Sequence, residues 1–361
     1  MDRERLQAVA RRIVRECARI GRGDDVYIEG RADALDYLEL LAFECELVGG
    51  RPLVVPTSDA LAHRRLTELP HDQLATKADP WIAAVLAADV VFTVHMEDGD
   101  PALFADVSPA QRAAGSRGRK RLADHIYDGT RRWIGTDYPT TQQAAAFGLD
   151  FAAFEDMFWR SLDLDYDELK GRADAVAAVL DGASSVRIRS PKGTDVTLGI
   201  EGRPLDKDYG IVGVATNLSN LPAGEVCLAP LEDKADGTVV FDLAYWDGRR
   251  IDDLEVRFEK GVVHPLKAQT EFDYFVGVLE HSDSAAHVIG ELGIGLNPNV
   301  GEPTGYTLTD EKILGTVHLA LGDNKMLGGV NESTLHWDMM ILRPTVEVDG
   351  RPLLVDGQMT V

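Results

Sequence analysis

The sequence predicts an α/β domain followed by an α+β domain. The first is an N-terminal doubly wound parallel-sheet domain over residues 1–182, the second a C-terminal, mainly antiparallel domain over residues 183–361. Three observations carry this expectation. At 361 residues the chain exceeds one typical domain. Its first half alternates strand-like apolar runs with stretches of helical spacing, the pattern of a parallel sheet covered by helices. After Ala183 the strands come in pairs across turn residues, the pattern of local antiparallel pairing.

Taken in order, Leu6 to Ile20 has apolar residues at helical spacing, within a basic amphipathic helix read from Asp2. Asp25 to Glu29 reads as a strand, Ala32 to Leu47 as a helix and Arg51 to Pro56 as a second strand. Two further helical stretches lead to Ala88–His95, a buried-strand candidate. Ser108 to Asp124 is helical in tone, Arg132 to Thr136 is another strand, and Tyr166 to Leu180 is a long helix. Beyond it, Ser185–Arg189 and Asp195–Ile200 flank Pro191-Lys192-Gly193 as a hairpin. Thr238–Tyr245 and Arg250–Phe258 flank Asp247-Gly248 in the same way, and Glu259-Lys260-Gly261 turns the chain into Val262 and Val263. The Gly-rich segment Gly290 to Gly305 reads as a loop bent around a site.

Composition excludes several classes. A hydrophobic fraction of 45% is ordinary for a protein with buried cores. No stretch approaches the roughly 20 apolar residues that span a bilayer, and the first helix has no signal-peptide core or cleavage site. Cys17, Cys45 and Cys227 are far apart and odd in number, against a disulfide framework or zinc knuckle, so a cytoplasmic protein is expected. A net charge of −23 argues against nucleic acid, whose phosphates need clustered Lys and Arg. The acidity fits a soluble, self-repelling surface and also attraction for cationic ligands such as a peptide amino terminus.

The chain lacks HExxH, GxSxG, GxxxxGK[ST] and a clean GxGxxG. Its chemistry sits elsewhere. Thr334 to Leu342 (TLHWDMMIL) reads as a strand, so His336 and Asp338 share one face and Trp337 takes the other. Gly315 to Gly322 (GTVHLALG) reads as a strand with Thr316, His318 and Ala320 on one face. Glu225 opens the apolar run Val226–Ala229, and Glu291 lies in GELGIGLNP. Each alone reads as a core histidine or a salt-bridge partner. Together, glutamates and histidines in apolar surroundings are too many to leave unpaired, and they suit two divalent ions about 3.5–4 Å apart.

The motifs LPAGEV (221–226), GELGIGLNP (290–298), TLTDEKILGTVHLALGDN (307–324) and GGVNESTLHWDMM (328–340) resemble the aminopeptidase T and aminopeptidase S metallopeptidases, in order along the chain. The resemblance implies metal ligands at Glu225, Glu291, His318, His336 and Asp338. It also implies two bound ions (zinc, cobalt or manganese), a homodimer, and a small peptide or small amide as substrate. The family's catalytic tyrosine, seven residues after the third ligand, falls on Lys325 here. Lys325 is then expected to bind a developing oxyanion or an acidic substrate. Glu291, Glu311 and Asp310 are the residues available as general base. The chain also resembles non-haem iron ring-cleaving dioxygenases of dihydroxypyridines, in its HxD and GLNP elements. There a third histidine replaces the glutamate, so one Fe(II), with His281 or His287, is the alternative. A metal-containing binding protein without catalysis is a third reading.

Overall fold

The computed structural model describes residues 3–76, 79–96, 98–126, 129–214, 216–246 and 248–361; Asp2 and Asp247, named above, lie outside them. The chain forms two compact units, Met1–Tyr166 with Gly210–Pro222, and Asp167–Tyr209 with Ala223–Val361. The sequence suggests a single boundary near residue 183, whereas the second unit begins at Asp167 and the segment Gly210–Pro222 returns to the first.

Strands are numbered in chain order. The first unit holds β1 (Asp25–Arg31), β2 (Arg51–Thr57), β3 (Val90–Val94), β4 (Arg132–Thr136) and β8 (Leu218–Asn220). They form one wholly parallel sheet in the order β2-β1-β3-β4-β8. Tyr27, Val91 and Trp133 stand opposite one another across β1, β3 and β4, and join Ile82, Val85 and Leu122 of two helices in one apolar cluster. Ile28, Phe92 and Ile134 form the row on the other face. On that face the helix Leu35–Leu47 approaches so closely that a Cβ on Gly30 would lie 2.6 Å from Leu38. Helices on both faces explain why these strands read as continuous apolar runs. β8 is not expected from sequence: three residues with little apolar content carry no periodic signal, and only pairing with β4 makes them a strand.

The second unit holds β5 (Ser185–Arg189), β6 (Asp195–Gly199), β7 (Asp206–Asp208), β9 (Glu225–Leu228), β10 (Ala235–Trp246), β11 (Arg249–Glu259) and β12 (Val262–Lys267). It continues with β13 (Ile289–Gly295), β14 (Val317–Gly322), β15 (His336–Ile341), β16 (Thr345–Val348), β17 (Arg351–Val355) and β18 (Gln358–Met359). Every named pairing among them is antiparallel. The expected hairpins β5–β6, β10–β11 and β11–β12 form. The central order β10-β15-β14-β13-β9-β7, however, is assembled largely from strands distant in sequence. One expectation is corrected. Residues 290–295, read as part of a loop, belong to the fully buried strand β13. Its glycines are demanded by close approach, since a Cβ on Gly293 or Gly295 would lie 2.0 Å from the His318 ring or 2.1 Å from the Ile313 carbonyl. No helix among the described residues is long and apolar enough to cross a membrane.

Candidate metal centre

The antiparallel ladder turns four separate motifs into one surface. Glu225 faces Gly295 across β9–β13, and His318 faces Gly293 across β14–β13. Ala320 stands between Glu291 and Asp338, and His336 faces Gly322. Because alternate residues of a strand share a face, Glu225, Glu291, His318, His336 and Asp338 all project from the same side of β9, β13, β14 and β15. Each large polar side chain has a glycine or alanine as a cross-strand neighbour, which leaves room for it to lean over the sheet. Trp337 projects from the opposite side, donates to the Tyr245 carbonyl at 3.0 Å and packs against Phe275.

Glu291 is central. Its Oε1 lies 3.3 Å from His318 Nε2 and its Oε2 lies 3.1 Å from His336 Nε2. His336 Nε2 is also 3.3 Å from Asp338 Oδ2, and His318 Nε2 is 3.5 Å from Glu225 Oε2. His336 donates from Nδ1 to the Asp323 carbonyl at 2.7 Å. A carbonyl only accepts, so the proton belongs on Nδ1 and Nε2 turns toward the carboxylates, the outer-shell arrangement typical of metal-binding histidines.

The charges explain the protonation. Burial pushes the Glu225 carboxyl upward, against the pull of Lys312 and His318. Burial would also raise Glu291, but hydrogen bonds from His318 and His336 outweigh it and hold that carboxyl well below the ordinary range. Burial disfavours an imidazolium, yet Glu291 and Glu225 lift His318 to about 9. Asp338 and Glu291 likewise raise His336 well above its usual value. Protons on the two histidines thus stand where the carboxylates call for positive charge.

The donor set fits divalent metal ions. Glu225 Oε2, His318 Nδ1 and Asp338 Oδ1 are buried without a hydrogen-bond partner, which is costly unless a further group satisfies them. Glu225, Glu291 and His318 present donor atoms within 4.8 Å of one another, as do Glu291, His336 and Asp338, and Glu291 belongs to both groups. A third such group joins Glu311 to His318 and Asp338. Mixed imidazole and carboxylate donors suit divalent transition-metal ions.

Other named residues fall elsewhere. Lys325 starts a 3₁₀ turn with its side chain 53% exposed and its ammonium 3.1 Å from Glu332. Asp310 is consumed by its own loop, accepting from the Thr304 amide at 2.9 Å and the Gly305 amide at 2.6 Å. His281 Nδ1 bonds the Gly277 carbonyl at 2.7 Å and His287 Nε2 the Leu279 carbonyl at 3.2 Å; among the described residues neither joins a group of metal-binding geometry. Sequence reading misses Lys312, whose wholly buried ammonium donates to Glu225, lies 2.9 Å from Glu311 and 3.9 Å from Asp208. Within TLTDEKILG a charged run reads as solvated surface, and no sequence signal marks this lysine as buried.

The fold and this cluster of carboxylates and histidines fit a metal-dependent enzyme. The signature of the thermophilic metalloprotease (M29) family matches residues 2–359, and the chain belongs to that family. It is 25% identical to aminopeptidase T of Thermus aquaticus, over 98% of this chain and 96% of that protein. It is also 22% identical to 2,5-dihydroxypyridine 5,6-dioxygenase of Pseudomonas putida, an alignment spanning 54% of this chain and 59% of that enzyme. Among solved structures, wild-type AmpT from Thermus thermophilus matches with a TM-score of 0.80 over 99% of both chains at 22% identity. The Pseudomonas putida dioxygenase structure matches with a TM-score of 0.69 at 18% identity, over 100% of this chain and 98% of that one. These likenesses bear out the fold class and the metallopeptidase family expected from the motifs.

Proposed function

We propose that the protein is a metal-dependent aminopeptidase that holds two divalent ions and releases the N-terminal residue of a small peptide or splits a small amide. One observation carries the reading: Glu291 presents one oxygen to each imidazole, at 3.3 and 3.1 Å, and so belongs to two donor groups at once. A carboxylate shared in this way suits a paired-ion site. Glu225 and His318 complete one group, His336 and Asp338 the other. Bound ions of this type polarise a carbonyl and lower the pKa of a bound water toward about 7.

The chain's own residues do the rest. The Asp323 carbonyl fixes the His336 tautomer. Glu311 belongs to a donor group with His318 and Asp338, is partly exposed, and is kept beside a positive charge by Lys312. In this reading Glu311 takes the proton of an attacking water at a carboxylate oxygen and returns it to the leaving amine. Lys325, engaged with Glu332, receives no step. A dimer, implied by the resemblance, belongs to the proposal and is checked by sedimentation.

The test is elemental analysis of protein purified without chelators, followed by assay of metal-free and reconstituted enzyme on aminoacyl amides and dipeptides. Two ions per chain with metal-dependent release of the N-terminal residue is the expected outcome. A single iron with oxygen uptake on a dihydroxypyridine would replace this reading with the dioxygenase one.

A further inference from the structure

A buried ammonium is expensive unless its charge is matched and its donors are used. Lys312, with a side chain 0% exposed, meets both conditions in an asymmetric way. It donates to Oε1 of Glu225, while Oε2 of the same carboxylate has no hydrogen-bond partner and turns to His318 Nε2 at 3.5 Å. The two oxygens of Glu225 therefore have different neighbours. Lys312 also holds Glu311 at 2.9 Å, the carboxylate grouped with His318 and Asp338.

Hydrogen bonds through Leu296 and Asn297 hold the two segments that carry Glu225 and Lys312 together. Asn297 donates its amide to the Lys312 carbonyl at 2.8 Å and its side-chain amide to the Ala223 carbonyl at 2.8 Å. Leu296 donates to the Gly224 carbonyl at 2.8 Å. Gly224 has φ +131°, and a Cβ there would lie 2.9 Å from Asn297, so only glycine fits beside Glu225. The segments carrying Glu225 and Lys312 are thus pinned to the same residue.

We infer that Lys312 is a positioning residue for the metal centre: it occupies one oxygen of Glu225 so that the other alone faces the ion held by Glu225, Glu291 and His318. The inference rests on the paired-ion reading above. It also predicts selectivity, because Lys312 contacts Glu225 but none of Glu291, His336 and Asp338 through any observed ion pair. Outer-shell partners of metal ligands typically contribute about 10–100-fold in affinity.

The experiment titrates Zn(II) and Co(II) into metal-free full-length wild type, Lys312→Met and Lys312→Arg. Stoichiometry and both dissociation constants are read by calorimetry and by the visible spectrum of Co(II), with circular dichroism as the control for folding. Wild type is expected to take two ions. Lys312→Met should weaken one of them about 10–100-fold and leave the other within about 3-fold. Lys312→Arg, which keeps the charge but not the point geometry, should show a smaller loss at the same ion. Two ions of unchanged affinity in Lys312→Met would overturn the inference while leaving the paired-ion reading intact, and equal weakening of both ions would reduce Lys312 to a structural salt bridge. If Lys312→Met does not fold, unchanged affinities in Lys312→Arg overturn the inference instead. A wild type that takes up fewer than two ions overturns the paired-ion reading and this inference with it.

Discussion

Gly293→Ala tests the site by shape alone, with no change of charge or ligand. A Cβ at this position would lie 2.0 Å from both Cε1 and Nε2 of His318 and 2.8 Å from Cδ2. Non-bonded carbons rest about 3.5–4.0 Å apart, so the imidazole would have to retreat by about 1.5–2 Å. Metal–ligand distances tolerate only about 0.2 Å, so the displaced ring is lost as a ligand. We expect affinity for one ion to fall at least the roughly 10–100-fold that an outer-shell change costs, and kcat/KM to fall about 100-fold or more. Overpacking a dense sheet should also cost about 1–3 kcal/mol. Metal titration and thermal melts measure both effects. Gly277→Ala is the control: nothing lies within 4 Å of its Cβ position, in the middle of the helix Phe272–His281, so metal binding should be unchanged. Wild-type affinity for two ions in Gly293→Ala would show that the His318 ring does not have to lie where it does, and would refute its role as a ligand.

His336→Ala and Asp338→Ala should each lower metal content from two ions toward one by elemental analysis, since Glu225, Glu291 and His318 remain as a donor group. Glu311→Gln should keep both ions and lose about 100-fold or more in turnover, the scale of general-base catalysis; retention of activity would remove Glu311 as the base. Lys325→Ala should change unfolding free energy by less than about 1 kcal/mol, because its partner Glu332 is 77% exposed and such pairs are weak; a loss of aminoacyl amidase activity beyond tenfold would restore a catalytic role. For pH, the sign follows from His318, whose folded-state pKa of about 9 lies above the unfolded value near 6.5. Its protonation stabilises the metal-free protein fully below about pH 6.5, and that stability is lost as pH rises to about 9. Metal replaces those protons, so the rise in Tm on adding Zn(II) should grow across this window; an increment that is flat or falls would contradict the arrangement.

Much of the architecture was legible because it depends on local periodicity. Apolar runs buried on both faces announce a parallel sheet, and Pro191-Lys192-Gly193 announces a hairpin, whatever the rest of the chain does. Strand alternation alone placed His336 and Asp338 on one face with Trp337 on the other, as the structure has them. The donor inventory was legible too, since glutamates and histidines in apolar sequence must find partners somewhere.

What tertiary structure decided is which distant segments meet. β9, β13, β14 and β15 are neighbours through pairings that no turn signal specifies, so motifs could suggest the convergence of Glu225 on His318 but spacing along the chain could not establish it. The same holds for β8, a strand only because β4 offers it an edge. Gly293 and Gly295 looked like loop residues because their cause, a ring and a carbonyl on neighbouring segments, lies outside the local sequence. Lys312 is the clearest case. Its charge predicts solvent, and only the assembled cluster of Glu225, Glu311 and Asp208 makes burial the lower-energy place for it, because electrostatic partners are set by distance in space and not along the chain.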